Sequence, residues 1–79
     1  MSKASAYFSL ENVNGKHDVK NIKRELDTLR GVFSVSVNDK TDRVAVDYDT
    51  TGVDEKRIQK KIEDLGYDVV SLRVDQHIM

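Results

Sequence analysis

Two segments with the apolar spacing of a helix, each lying between segments that alternate like strands, constrain the fold of this chain most. In the first helical segment the apolar residues recur three and four positions apart, which places them on one stripe. They are Val19, Ile22, Leu26 and Leu29. The second helical segment has the same pattern, carried by Ile58, Ile62 and Leu65. Gly31 and Gly66 follow these segments, where a helix commonly ends.

Four other segments alternate between apolar and polar residues in the manner of half-buried strands. Their apolar members are Phe8 and Leu10, then Val32, Val35 and Val37, then Val44, Val46 and Tyr48, and finally Val70, Leu72 and Val74. Turn-forming residues at 38–42 separate the second and third strands. The order is therefore strand, helix, strand, strand, helix, strand, and the chain contains no proline to interrupt it.

This order predicts an α+β fold of the ferredoxin-like type, βαββαβ. Right-handed crossovers place the strands in the order 4-1-3-2 in one antiparallel sheet, with two helices on one face. The first strand–helix loop, the hairpin and the second helix–strand loop then share one end of the domain. We expect a single domain over residues 1–79, with flexible tails at residues 1–5 and 75–79.

Composition excludes several classes of function. The chain contains no cysteine, which removes disulfides, cysteine-ligated zinc and thiol nucleophiles. Its net charge of −1 gives no general attraction to nucleic acid or to an anionic membrane. No apolar segment reaches the length of a membrane-spanning helix, and the N-terminal residues lack the apolar core of a signal peptide. We therefore expect a cytoplasmic protein.

Two segments resemble the heavy-metal-associated domain, the domain of copper chaperones. Residues 29–37 are similar to the L-x-G-V-x-x-V-x-V segment of that family, and residues 62–69 are similar to its I-E-x-x-G-Y-D-V ending. The resemblance extends from about Phe8 to Val70, nearly the whole chain. It implies the same ferredoxin-like fold and a binding protein that is not an enzyme.

The resemblance also locates the metal loop of the family, G-M-x-C-x-x-C. Counting back from Gly31 puts the two cysteine positions on Gly15 and Asp18 and the methionine position on Val13. Family members hold Cu(I), a soft ion, through two thiolates, and neither Gly15 nor Asp18 offers sulfur. We therefore expect weak or no binding of soft metals. Asp18 is instead suited to cap the start of the helix, and Asn14 is the other candidate for this cap.

Other side chains remain candidate ligands. His17 with Asp18 could hold Zn²⁺, Ni²⁺ or Cu²⁺ weakly, and His77 with Met79 forms a second candidate set. The alternative for His17 is a solvated surface histidine, and the alternative for the second set is a disordered tail. No cofactor is expected beyond such a weakly held divalent metal.

The first helix carries a group of basic residues, and the resemblance implies that such residues dock an acidic partner. They are Lys16, Lys20, Lys23 and Arg24, and we add Tyr67 from the neighbouring loop to the candidate docking group. Tyr67 could also pack against Val13 and close this end of the domain. The alternative for the basic group is an ordinary solvated helix face, since the second helix is basic as well.

The first hypothesis for function is a protein-interaction domain whose partner is another protein, either a domain of the same fold or a second copy joined through sheet edges. The alternative is a heavy-metal carrier for copper, zinc or nickel with non-cysteine ligands. Acylphosphatases share this topology, but the first loop lacks the arginine that they use. The outward strand residues offer a poor stacking platform for RNA. They are Tyr7, Ser9, Glu11, Ala45 and Asp47.

Overall fold

The computed structural model describes residues 3–11, 13 and 15–77. Within these residues the elements are β1 (Lys3–Leu10), α1 (Gly15–Asp27), β2 (Val32–Asn38), β3 (Arg43–Asp49), α2 (Glu55–Asp64) and β4 (Val69–His77). The strands form one antiparallel sheet in the order β2-β3-β1-β4, which is the predicted order 4-1-3-2 read from the other edge. The predicted ferredoxin-like fold is therefore confirmed.

One apolar cluster lies between the sheet and the helices. It takes alternate residues from the central strands, including Phe8 and Tyr48, and the buried stripes of both helices, including Ile22 and Ile62. Each such side chain contributes about 1.5–3 kcal/mol when it is fully buried. Val13, the residue at the methionine position of the family's metal loop, belongs to the same cluster. The Val13 side chain therefore anchors the first loop to the core.

Helix α2 begins at Glu55, directly after its N-cap residue Asp54. The Oδ1 atom of Asp54 accepts a hydrogen bond of 2.8 Å from the backbone N–H of Arg57. This bond satisfies one of the N–H groups that have no partner within the helix, and it fixes the start of the helix. Ile58 and Ile62, one turn apart, then face the core.

The outer strands are longer than the sequence pattern indicated. The expectation of flexible tails is wrong for residues 3–5 and 75–77, because Lys3 lies opposite both Asp49 and His77 in the sheet. Ala4 and Ser5 are buried. These segments lack apolar alternation, but each supplies backbone partners to the other. Residues 1–2 and 78–79 lie outside the described part of the chain.

Both edge strands contain a β-bulge. In β4 the pairing shifts so that Val69 lies opposite Leu10 and packs against the core, while Val70 is 60% exposed. The prediction of a common face for Val70, Leu72 and Val74 is therefore wrong at Val70. In β2 the shift leaves Phe33 exposed. Bulges bend and twist edge strands, which limits unwanted pairing there.

Backbone hydrogen bonds fix the two ends of the domain. At one end the N–H of Leu10 donates to the carbonyl of Asp42 (2.8 Å), and the N–H of Glu11 donates to the carbonyl of Asp68 (3.1 Å). The first loop, the hairpin and the α2–β4 loop therefore lie together, as predicted.

At the other end the two crossover loops meet. The backbone of Gly31 lies against that of Gly52, so close that a Cβ built on Gly31 would be 3.2 Å from the Gly52 Cα. Gly31 has a φ of +89°, which L side chains rarely adopt, and its carbonyl accepts a hydrogen bond of 2.7 Å from the N–H of Asp49. Glycine is required there by both conformation and space.

Candidate functional site

The two cysteine-equivalent positions lie in the first turn of α1. Helix α1 begins at Gly15, and Asp18 is the acidic residue of its first turn. Residues three apart lie on the same side of a helix, so the two positions are neighbours, as a two-ligand site requires. Asp18 is inside the helix and is not its N-cap, so the capping prediction is wrong for this residue. Asn14, the other predicted cap, lies outside the described residues.

The carboxylate of Asp18 lies beside Tyr67. The Tyr67 ring packs against the buried cluster, and its hydroxyl lies near the side chains of Asp18 and Asn21. Burial raises the pKa of Tyr67, and the nearby Asp18 carboxylate raises this pKa further, because a phenolate there would place two negative charges together. The α2–β4 loop is thereby joined to the start of α1 by polar contacts as well as by packing.

Asn21 is a site residue that the sequence reasoning missed. It lies one turn after Asp18 on α1 and is also close to the Tyr67 hydroxyl. Its side-chain Oδ1 also accepts a hydrogen bond of 3.3 Å from Nη2 of Arg24. The only signal in the sequence was its spacing of three residues from both Asp18 and Arg24, which is the spacing of neighbours on a helix.

His17 lies apart from this contact. It is exposed and lines an open groove of about 400 Å³ together with Lys20, Asn21 and Arg24. Consecutive helical residues point about 100° apart, so His17 and Asp18 diverge. Among residues 3–11, 13 and 15–77, no three His, Asp or Glu side chains are grouped so that they could hold a metal ion. Metal binding by His17 and Asp18 stays a prediction.

The second candidate ligand set is at the opposite end of the domain. His77 is the last residue of β4 and lies opposite Lys3, away from the first loop. Met79 lies outside the described residues. A site made by His77 and Met79 stays a prediction, and it would be independent of the first loop.

The candidate docking residues share one region. Lys20, Lys23 and Arg24 are exposed on α1, and Lys16 lies in the first turn of the same helix. Tyr67 joins this region through Asp18. The acidic residues of α1 that interrupt the basic pattern in sequence, Glu25 and Asp27, do not line the groove. The groove lining is therefore basic and polar, which sequence order alone did not reveal.

The residues present do not fit the cargo of a copper-binding loop. Gly15 has no donor atom, and Asp18 offers hard oxygen that lies against Tyr67. The family comparison is nevertheless clear, because the model of the heavy-metal-associated domain matches residues 8–68. The chain belongs to the heavy-metal-associated domain family.

Similar proteins agree with this assignment. The chain is 38% identical over 62 residues to the copper chaperone CopZ of Bacillus subtilis (strain 168), a match that covers 78% of this chain and 90% of CopZ. The structure of a CopZ metallochaperone superposes with a TM-score of 0.81 at 32% identity, covering 84% of this chain and 98% of that one.

The water-soluble region of the P-type ATPase CopA from Bacillus subtilis also has a TM-score of 0.81, at 31% identity. This match covers 86% of the present chain and 45% of the CopA chain. Within the described residues, no helix combines the length and the hydropathy needed to cross a membrane.

Proposed function

We propose that this heavy-metal-associated domain is a non-enzymatic protein-interaction domain that does not carry soft metals tightly. The observation that carries the proposal is the contact between Asp18 and Tyr67. A position that holds a thiolate ligand in the metal loop of the family here holds a carboxylate that lies against a tyrosine from another loop. Binding a soft ion through Asp18 would have to displace this contact and would offer the ion hard oxygen in place of sulfur.

The proposed docking surface is the basic face of α1 around the groove. Lys20 and Arg24 supply positive charge there, and His17 and Asn21 supply further hydrogen-bonding groups. A surface of this kind suits an acidic partner, since complementary charge increases association rate and fixes orientation. The binding should therefore weaken as salt is added.

The first partner to test is another domain of the same fold. The similarity to the water-soluble region of CopA makes that region a suitable probe. The ¹⁵N-labelled chain is titrated with it, and chemical shifts of α1 residues are followed. We expect changes concentrated on α1 and the α2–β4 loop.

Matched charge reversals decide whether this face is responsible. Lys20→Glu with Lys23→Glu should weaken binding about tenfold. The control, Lys56→Glu with Lys60→Glu on α2, changes the net charge equally on another exposed surface and should leave affinity within about twofold at moderate salt. Equal losses in both variants, or none in either, would contradict docking through α1.

Carriage of a divalent ion by His17 and Asp18 is less well supported, because the Asp18 carboxylate lies against Tyr67 and the two side chains diverge on the helix. The cytoplasmic location also stays a prediction.

A further inference from the structure

Strand β4 is the longer of the two edge strands. It spans nine residues and pairs with β1 on one side, and in the described part of the chain no strand lies on its other side. An edge strand presents a row of unpaired backbone N–H and C=O groups that can pair with another strand. The match to the family model ends at residue 68, so β4 lies outside the matched segment.

Two opposite charges lie in the middle of the part of β4 that pairs regularly with β1. Residues 71–77 pair one for one with β1, beyond the bulge at Val70. Arg73 and Asp75 flank Val74 and share one face of the strand. Their side chains are 77% and 42% exposed, and they form an ion pair of 3.4 Å. Such an exposed pair contributes little within one chain.

This arrangement is self-complementary under two-fold symmetry. If β4 pairs antiparallel with a second β4 around Val74, each Arg73 lies directly opposite an Asp75. A register centred on Arg73 or on Asp75 would instead place like charges opposite each other, which is destabilising. A shift of the pairing by one residue would put side chains from one face of the first copy opposite side chains from the other face of the second copy. The charges therefore favour a single register.

We propose that β4 pairs with β4 of a second copy of this chain, around a two-fold axis at Val74, to give one continuous sheet across the dimer. The second copy would also cover apolar surface at this edge, where Val70 and Leu72 are 60% and 37% exposed. The other edge strand, β2, carries no charged residue and so has no such means of fixing a register.

The dimer does not depend on the function proposed above, because α1 packs over β2 at the other side of the sheet. An interface built on one strand is small, so association should be weak, with a Kd of about 10–500 µM. Sedimentation velocity from about 5 µM to about 1 mM should show a concentration-dependent shift from monomer to dimer. A monomer over this whole range would overturn the proposal.

Charge variants test the register. Arg73→Asp makes the edge acidic and Asp75→Arg makes it basic, so each variant alone should dimerise at least about tenfold more weakly than the original chain. An equimolar mixture of the two variants should recover dimers, since every acidic position then meets a basic one. Both side chains are exposed, so neither change should disturb the fold.

The control is Ser36→Lys on β2, which adds a charge to the other edge and should leave dimerisation unchanged. Dimers that persist equally in both single variants, that fail to reappear in the mixture, or that are lost only with Ser36→Lys would contradict pairing through β4. The partner that is titrated against α1 is absent from these measurements. A failure of the dimer proposal can therefore be told apart from a failure of the docking proposal.

Discussion

The hydroxyl of Tyr67 lies beside the carboxylate of Asp18, the residue at the second cysteine position of the metal loop. The side chain of Asn21 lies near the same hydroxyl. Three residues from two elements that are far apart in sequence therefore meet where the family places its metal ion. The position contributes here to tertiary structure.

Removing the Tyr67 hydroxyl should lower stability. Tyr67→Phe keeps the ring in place and deletes the hydroxyl, so we expect a loss of about 1 kcal/mol, discounted because the pair is partly exposed. Urea unfolding followed by circular dichroism measures the change. Tyr7→Phe on the open sheet face is the matched control, and it should change stability by less than about 0.5 kcal/mol. Equal effects of the two substitutions would contradict a special role for Tyr67.

Stability should fall at alkaline pH. Burial raises the pKa of Tyr48, assisted by the neighbouring Glu55 carboxylate, and burial and Asp18 raise the pKa of Tyr67. The folded chain thus holds these protons to higher pH than the unfolded chain, so the stabilisation is complete below about pH 10 and is lost as pH rises through the folded pKa values. Denaturant midpoints from pH 8 to 11.5 should decrease mainly above pH 10. Tyr67→Phe should make this decrease shallower, and an unchanged slope would count against the pair.

Introducing two thiols into the first turn of α1 should create a copper-binding site. The variant Gly15→Cys with Asp18→Cys places two sulfur donors on one side of the first helical turn, where Cu(I) can be held by both. In competition with a Cu(I) chelator, the double variant should compete strongly, while the original chain binds no more tightly than about 10 µM. The single variants Gly15→Cys and Asp18→Cys are the controls and should compete weakly. Equal competition by the original chain would reveal a copper site of a different kind.

Gly31 should tolerate substitution poorly. A Cβ at Gly31 would lie 3.2 Å from backbone atoms of Gly52, and φ is +89° there. Gly31→Ala should therefore cost about 2–3 kcal/mol, the sum of conformational strain and displacement of the facing loop. Gly66→Ala is an instructive comparison, because Gly66 has a similar φ of +100° but open space around it, and it should cost only about 1 kcal/mol. Thermal unfolding of both variants gives the difference.

The fold was predictable because local patterns carry most of its information. The helical stripes that include Ile22 and Ile62 became the buried helix faces, and the alternation around Phe8 and Val46 became the core of the sheet. The strand ends at Lys3 and His77 were not predictable, since polar residues join a strand there only because their partners happen to lie opposite. The bulge at Val70 was also missed, because the alternation of apolar residues along β4 does not show where its pairing with β1 shifts.

The candidate site was predictable in position but not in its contacts. Counting from Gly31 placed Gly15 and Asp18 correctly in one helical turn. The contact of Tyr67 with Asp18 joins residues 49 positions apart, so no local pattern could indicate it. The basic lining of the groove also depends on which α1 residues turn away from it, which only the packed helix defines.

The close contact of Gly31 with Gly52 lies at the end of the domain opposite the first loop. Because the crossover connections of both helices are fixed there by backbone contacts, the segment between Val13 and Asp18 can vary without loosening the scaffold, provided that Val13 keeps its place in the core. A graft that exchanges only this segment for that of a relative should therefore fold. Different metal-ligating side chains could then be introduced into the loop one at a time while the rest of the domain stays the same.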